Sequence, residues 1–322
     1  MNPMFYTIRH VTNFAYDTAI AESVMETRMQ PRSEGQQRCL HFGLSTTPAS
    51  RVLVYQDHDG NMVHHFNIPG RHATLTVTAE ALVECSPAAE HPAGLGPHGW
   101  SSLDSLTASG EFWDLTVPST FARPTPLLCA FRSDIGFERG DDPLSTLRNL
   151  SSAINRRFEY RPQSTRVDSP IDDALKNRRG VCQDFAHIFI TLTRQLGVPC
   201  RYVSGYLFHQ DDVDRSLEGA THAWAEAFLP DLGWVGFDPT NDLLASDRHI
   251  RVAVGRDYAD VPPTRGVYKG VTAVRSELAV SVRVGKTQAS LTGETVPFVP
   301  WMSRDAAAPL ADVDQAIQNQ QQ

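Results

Sequence analysis

Three residue types capable of acyl transfer occur in order over fewer than sixty residues of this chain. A cysteine lies in Gly180-Val181-Cys182-Gln183-Asp184-Phe185-Ala186-His187, where a loop turns into a helix. A histidine follows in Thr221-His222-Ala223-Trp224, and an aspartate closes Gly236-Phe237-Asp238-Pro239-Thr240. A thiol, an imidazole and a carboxylate supply a nucleophile, a base and an acid that orients the base. That is the minimum set for chemistry through a thioester. Each residue alone has an ordinary structural role, as a buried cysteine, a strand histidine or a turn aspartate. Their joint placement at a helix start and on successive strands points to Cys182, His222 and Asp238 as a catalytic set.

The elements that must hold them are legible. The helix after Gly180 carries Phe185, Ile188, Phe189, Leu192 and Leu196 on one stripe, and it stops at Gly197 with Pro199 beyond. Cys182 is three residues before Phe185, so it shares that stripe and faces the core. The unpaired backbone N–H groups at the helix start favour a thiolate there. Asp184 opposes this locally, and an imidazolium partner restores it. His222 opens an alternating strand, His222-Ala223-Trp224-Ala225-Glu226-Ala227-Phe228-Leu229. Pro230-Asp231-Leu232-Gly233 turns, and Trp234-Val235-Gly236-Phe237-Asp238 returns. A hairpin centred near Asp231 pairs Trp224 with Asp238 and makes His222 a diagonal neighbour of Asp238 on the same face. Glu226 shares that face and is expected as a solvated or paired charge. Trp224 and Trp234 either wall the cleft or fill the hairpin's packing.

A metal site is the rival use of the same atoms. Cys182, His187, Cys200 and His222 would be its ligands, but no Cys-x-x-Cys or His-x-x-x-His pair occurs among them. No metal is therefore expected. His187 sits about 140° around the helix from Cys182. It pairs with Asp184 or packs against a neighbouring element.

The rest of the chain divides by composition. Residues 4–85 read as antiparallel β, with the clearest alternation at Leu75, Val77, Ala79, Ala81 and Val83. Asp57-His58-Asp59-Gly60 separates two such runs and predicts a hairpin; it lacks the further ligands of a calcium loop. A β-sandwich of about six to eight strands is expected over residues 1–90. Prolines 87, 92, 97, 118, 124 and 126 punctuate a stretch read as a linker over 91–126. Leu147, Leu150, Ile154 and Phe158 predict a helix over 143–158, and a short one covers Ile171 to Lys176. Strands are expected at 200–208, 222–229, 234–238 and 267–284. A catalytic α+β unit over 127–290 and a mostly disordered tail over 291–322 complete the division.

With 322 residues, two domains are the default. The net charge of −8 shows no basic stripe, so no nucleic-acid partner is expected. No run of about 20 apolar residues occurs, so no membrane partner is expected either. The N-terminus lacks a basic start and an apolar block, which leaves a cytoplasmic location as the expectation. Five cysteines at irregular spacing argue against a disulfide framework.

At the motifs quoted above the chain resembles the bacterial transglutaminase-like superfamily, within the papain-like Cys-His-Asp enzymes. Gly197-Val198-Pro199-Cys200-Arg201-Tyr202-Val203-Ser204-Gly205-Tyr206, His249-Ile250 and Gly255-Arg256-Asp257-Tyr258 extend the match over most of residues 140–270. The β-region is similar to the domain that commonly precedes this core in bacterial members. The resemblance implies an α+β fold, Cys182 as nucleophile, His222 as general base, Asp238 as orienting acid, and no cofactor. Cys200 departs from the small residue usual at its position. The indole that supports the oxyanion in animal transglutaminases has no match; the Cys182 backbone N–H is one donor and Tyr160 a candidate second. The expected activity is on amide bonds of a peptide or protein substrate, hydrolysis being favoured over transfer to an amine. A non-catalytic peptide-binding module and an amide-forming acyltransferase are the alternatives.

Overall fold

The computed structural model describes residues 2–87, 90–96, 98–210, 214–216, 219–270 and 274–288. The expected disordered tail lies outside the described residues.

The N-terminal part is antiparallel β: β1 (Met4–Thr27), β2 (Gln37–Thr47), β3 (Val52–Gln56) and β4 (Met62–Cys85). Leu75, Val77, Ala79, Ala81 and Val83 are all buried, as their alternation requires. In the β3–β4 turn, Asp57 Oδ1 accepts the backbone N–H groups of Asp59 and Asn61. Gly60, at φ 75°, takes the left-handed conformation the turn needs. β1 and β4 are 24 residues each and run through one six-stranded sheet. Register shifts at Ile20 divide them into two halves. Met25, Phe66 and Ile68 of one half pack with Leu75, Val77 and Ala79 of the other. One bent sheet thus builds the enclosed core that a sandwich would have built from two.

The helical part follows, with α1 (Gly99–Ala108), α2 (Pro126–Asp134) and α3 (Pro143–Arg157). Thr125 and Asp142 cap the last two, each with proline in the first turn. Next are β5 (Glu159–Tyr160), α4 (Ile171–Asn177), β6 (Arg179–Gly180) and α5 (Cys182–Gln195). Then come β7 (Cys200–Leu207), β8 (His222–Leu229), β9 (Gly233–Asp238), β10 (Leu243–Leu244) and β11 (His249–Gly255). These form a five-stranded antiparallel sheet in the order β10-β9-β8-β7-β11. α5 packs on β8 and β9 through Phe185, Phe189, Ala225, Ala227 and Phe237. The last described elements are β12 (Thr264–Lys269) and β13 (Ser276–Thr287).

Two boundaries differ from the sequence reading. Residues 91–126 contain α1, whose Leu103 is fully buried in the catalytic core. Thr107 Oγ1 donates to the Gly197 carbonyl at 2.9 Å and Phe121 N–H to Asp257 at 2.7 Å. Prolines interrupt this stretch without detaching it, because isolated buried side chains leave no periodic signal. β12 and β13, placed by sequence in the catalytic unit, instead pair with β1. Alternation at Leu278, Val280 and Val282 announces a strand; it does not say which distant strand it joins.

The two sheets meet along β11, an edge strand. Val252 and Ile250 pack with Tyr6, Ile8, Val83 and Val280. Gln37 and Asn61 each bond the β11 backbone in both directions: Gln37 accepts from and donates to Arg251, and Asn61 does the same with Val254. Two amide side chains thereby do for this edge what a sixth strand would do.

Candidate active site

Cys182 is the first residue of α5 and is buried. A helix start leaves its N–H groups without intrahelical acceptors, so the Cys182 amide is available beside its own Sγ. Asp184 caps this end, accepting from Val181 N–H at 2.8 Å and from the Thr165 hydroxyl at 2.5 Å. Burial pushes its carboxyl pKa up to about 6, against those two hydrogen bonds.

The β8–β9 ladder pairs Ala225 with Phe237 and Leu229 with Gly233. Trp224 therefore stands opposite Asp238, and His222 reaches the aspartate diagonally. His222 Nε2 lies 2.7 Å from Asp238 Oδ2. This leaves the other ring nitrogen, Nδ1, for the hydrogen bond with Cys182. Burial alone would lower the imidazole's pKa; Asp238 and the Cys182 thiol outweigh it and push it up to about 10. Gly205 stands opposite His222, where a Cβ would run into the Ile250 carbonyl and the Trp224 ring. The geometry brings Cys182, His222 and Asp238 together.

Asp238 is fully buried and collects five donors. Besides His222, the backbone N–H groups of Thr240 and Asn241 donate to Oδ1, and Asn241 Nδ2 donates to Oδ2 at 2.8 Å. His249 Nε2 is 3.2 Å from the same Oδ2. His249 Nδ1 accepts the Ser246 backbone N–H, so Nε2 carries the proton and donates. Burial would raise the Asp238 pKa, yet the two imidazoles hold it well below the usual carboxylate range. The sequence reading assigns no role to His249, which lies in a motif of its own, or to Asn241, just past the aspartate motif. Both finish on one carboxylate.

His222, Asp238 and His249 are also close enough to be considered as metal ligands. The donor set does not fit one: the His249 lone pair at Nδ1 is used and its Nε2 bears a proton. The cluster is a hydrogen-bond relay. Of the imagined zinc set, Cys200 is buried on β7 and His187 serves elsewhere. His187 Nε2 accepts the Tyr258 N–H at 3.2 Å, and its ring stacks on Phe121 and packs on Tyr202. It does not pair with Asp184.

A cleft of about 30 Å³ opens beside the thiol, lined by Val181, Gln183, Tyr202, Ser204, Thr221 and Tyr258 together with Cys182 and His222. Tyr160 is not among its walls; it pairs with Gly180 in a short parallel bridge. Tyr202 is the hydroxyl beside the sulfur, its pKa raised well above normal by burial and then by Cys182. Trp224 is fully buried beside the His222 and His249 rings, and Trp234 packs on Phe112, Phe228 and the Arg201 guanidinium. Neither indole walls this cleft. Glu226 is a paired charge, held by Arg201 at 2.7 Å and by Arg251.

Comparison with known proteins agrees with this architecture. A family model described as the transglutaminase-like superfamily matches residues 135–239, and one described as the bacterial transglutaminase-like N-terminal region matches residues 6–84. An uncharacterized protein of Mycobacterium leprae is 33% identical over 85% of this chain and 96% of its own length. An uncharacterized protein of Mycobacterium tuberculosis is 34% identical over 81% of this chain and 87% of its own. A protein-glutamine gamma-glutamyltransferase of Pseudomonas aeruginosa is 27% identical over 38% of this chain and 21% of its own length. A crystal structure from Cytophaga hutchinsonii, described as a candidate cysteine protease, shares the fold with a TM-score of 0.71 at 21% identity, covering 91% of this chain and 93% of that one. This chain belongs to the transglutaminase-like superfamily and carries the N-terminal region of its bacterial members.

Proposed function

We propose that the protein is a thiol amidohydrolase acting on peptide-like substrates through a thioester on Cys182. The observation that carries this reading is the His222 ring, bound to Asp238 at Nε2 and turned with Nδ1 to the thiol. With the proton already on His222 Nδ1, as its raised pKa favours, Sγ attacks the carbonyl carbon as the thiolate. The Cys182 backbone N–H supports the oxyanion. His222 returns the proton to the leaving amine, the C–N bond breaks, and the thioester remains. Water then attacks; His222 takes its proton and gives it back to sulfur as the carboxylic acid leaves.

The cleft beside the thiol is where the scissile bond would lie, and hydrolysis is the outcome we favour over transfer. Among the described residues its walls carry no Lys, Arg, Asp or Glu, which favours a neutral group next to the scissile bond. The cytoplasm is the setting we infer, since a reducing compartment keeps the thiol free.

Incubation with cell extract or an amide library, followed by intact-mass measurement, should reveal an acyl adduct on Cys182 that hydroxylamine removes. Cys182→Ala should abolish both the adduct and turnover. Binding of peptides that survives Cys182→Ala, with no turnover of any amide by the wild type, would replace this reading with a peptide-binding module. Incorporation of a labelled primary amine in preference to hydrolysis would replace it with acyl transfer.

A further inference from the structure

The start of α5 forms one wall of the thiol cleft, and the start of β8, with His222, a second. Tyr202 and Ser204 of β7, with Tyr258, make the third. Among the described residues no charged side chain stands in these walls. A negative charge that develops on a carbonyl oxygen must therefore be met by N–H and O–H dipoles. The Cys182 backbone N–H is one such donor, and a tetrahedral oxyanion is ordinarily held by two.

Tyr202 is placed to be the other. Alternation along β7 turns it toward α5, into the core that holds Cys182 and Phe185. Its ring packs on His187, with centroids 5.0 Å apart, and meets Tyr258 edge-on at 6.3 Å. The residue is 2% exposed, and its hydroxyl has no hydrogen-bond partner among the described residues. That hydroxyl is not sealed away, because the side chain ends on the cleft. Buried hydroxyls ordinarily find a partner, and one left free beside a nucleophile is open to a substrate oxygen.

The neighbouring hydroxyls fit less well. Ser204 stands opposite Ala223, at the His222 end of the cleft. Tyr258 answers to burial alone, whereas Cys182 is the charged group that acts most strongly on Tyr202. Burial and then Cys182 raise the Tyr202 pKa, so its proton stays in place at ordinary pH.

We propose that the Tyr202 hydroxyl is the second oxyanion donor of the Cys182 site. This rests on the thioester chemistry proposed above. As Sγ bonds to the carbonyl carbon, the C=O π pair moves onto oxygen, and that oxygen accepts from the Cys182 N–H and the Tyr202 O–H. The pair returns as the C–N bond breaks, and Tyr202 keeps its proton throughout. Tyr202 is then a catalytic residue and not only a prop under α5.

The test compares two reactions of the same thiol. p-Nitrophenyl acetate acylates Cys182 through a tetrahedral oxyanion; iodoacetamide alkylates it by displacing iodide and forms none. Both rates are read by mass on the Cys182 peptide of the full-length protein. Tyr202→Phe keeps the ring against His187 and removes the donor. Acylation should slow by about 10²-fold, while alkylation and its pH dependence stay as in wild type. 3-Fluorotyrosine in place of Tyr202, with nearly the same shape and a more acidic hydroxyl, should acylate at least as fast as wild type. Acylation of Tyr202→Phe at the wild-type rate would overturn the proposal. So would a parallel loss in both reactions, the mark of packing or of a hold on the thiolate, or a fluorinated protein as slow as Tyr202→Phe. A wild-type protein alkylated at Cys182 but never acylated there would overturn the proposed function, and this donor with it.

Discussion

Two carboxylates on one hairpin, Glu226 on β8 and Asp238 on β9, are both fully buried and both charged. Burial works against each charge in the same way. What differs is the answer to it. Glu226 is met by two guanidinia, Arg201 and Arg251, which stay protonated at any ordinary pH. Its pKa is held at about 2 and its charge is permanent. Asp238 is met by two imidazoles and three amide donors. An imidazole, unlike a guanidinium, has a second neutral form within reach of ordinary chemistry, so this carboxylate sits behind a proton that can move. The first cluster fastens the second sheet near its junction with the N-terminal sheet; the other cluster holds the His222 ring.

The comparison breaks most sharply by neutralising each carboxylate in turn. Asp238→Asn should lower kcat by about 10³- to 10⁴-fold, because the amide can no longer fix the His222 tautomer. Its thermal midpoint should move far less than its rate. Glu226→Gln should do the opposite. Two guanidinia left facing one neutral amide should cost about 3 kcal/mol in urea unfolding, with kcat within a few-fold of wild type. A Glu226→Gln protein that keeps its stability and loses its rate would erase the distinction.

The two sites should also fail at opposite ends of the pH range. Glu226 has a folded pKa of about 2, below its ordinary 4.5. Its stabilisation is complete above about pH 4.5 and is lost as pH falls through about 2. His222 has a folded pKa of about 10, above its ordinary 6.5. Its contribution is complete below about pH 6.5 and is lost as pH rises through about 10. Urea midpoints measured from pH 3 to 10 should therefore fall at both ends. His222→Gln should flatten the alkaline limb alone, and Glu226→Gln the acid limb alone.

A smaller effect sharpens the relay. His249→Phe keeps a ring beside Trp224 and removes one donor from Asp238. It should lower kcat by about 10-fold, the size of one lost hydrogen bond to a charged group. The pH profile of kcat/KM should shift with it, since His222 would then be the one imidazole on Asp238. A loss of stability with an unmoved profile would assign His249 to packing.

Much of this was legible from local pattern. The stripe through Phe185, Phe189 and Leu192 gave α5 and put Cys182 at its start. Period-2 alternation and the Pro230–Gly233 turn gave the hairpin, and parity put His222 and Asp238 on one face. The same parity put Glu226 and Trp224 there too, and parity cannot tell a base from a tether or a wall. Tyr160 was a candidate because it is near in sequence; Tyr202 stands beside the sulfur because β7 crosses under α5.

The sequence by itself placed Cys182 at a helix start and His222 and Asp238 on one face of a hairpin, since helix and strand periodicities are local and repeat every few residues. Tertiary structure alone decided what meets each buried charge. Arg251, His249 and Asn61 reach their partners across strands far apart in the chain. It also decided that β12 and β13 close the N-terminal sheet rather than the catalytic one. Strand pairing is a contest among distant edges, settled by burial of the whole molecule, and no short window of residues contains it.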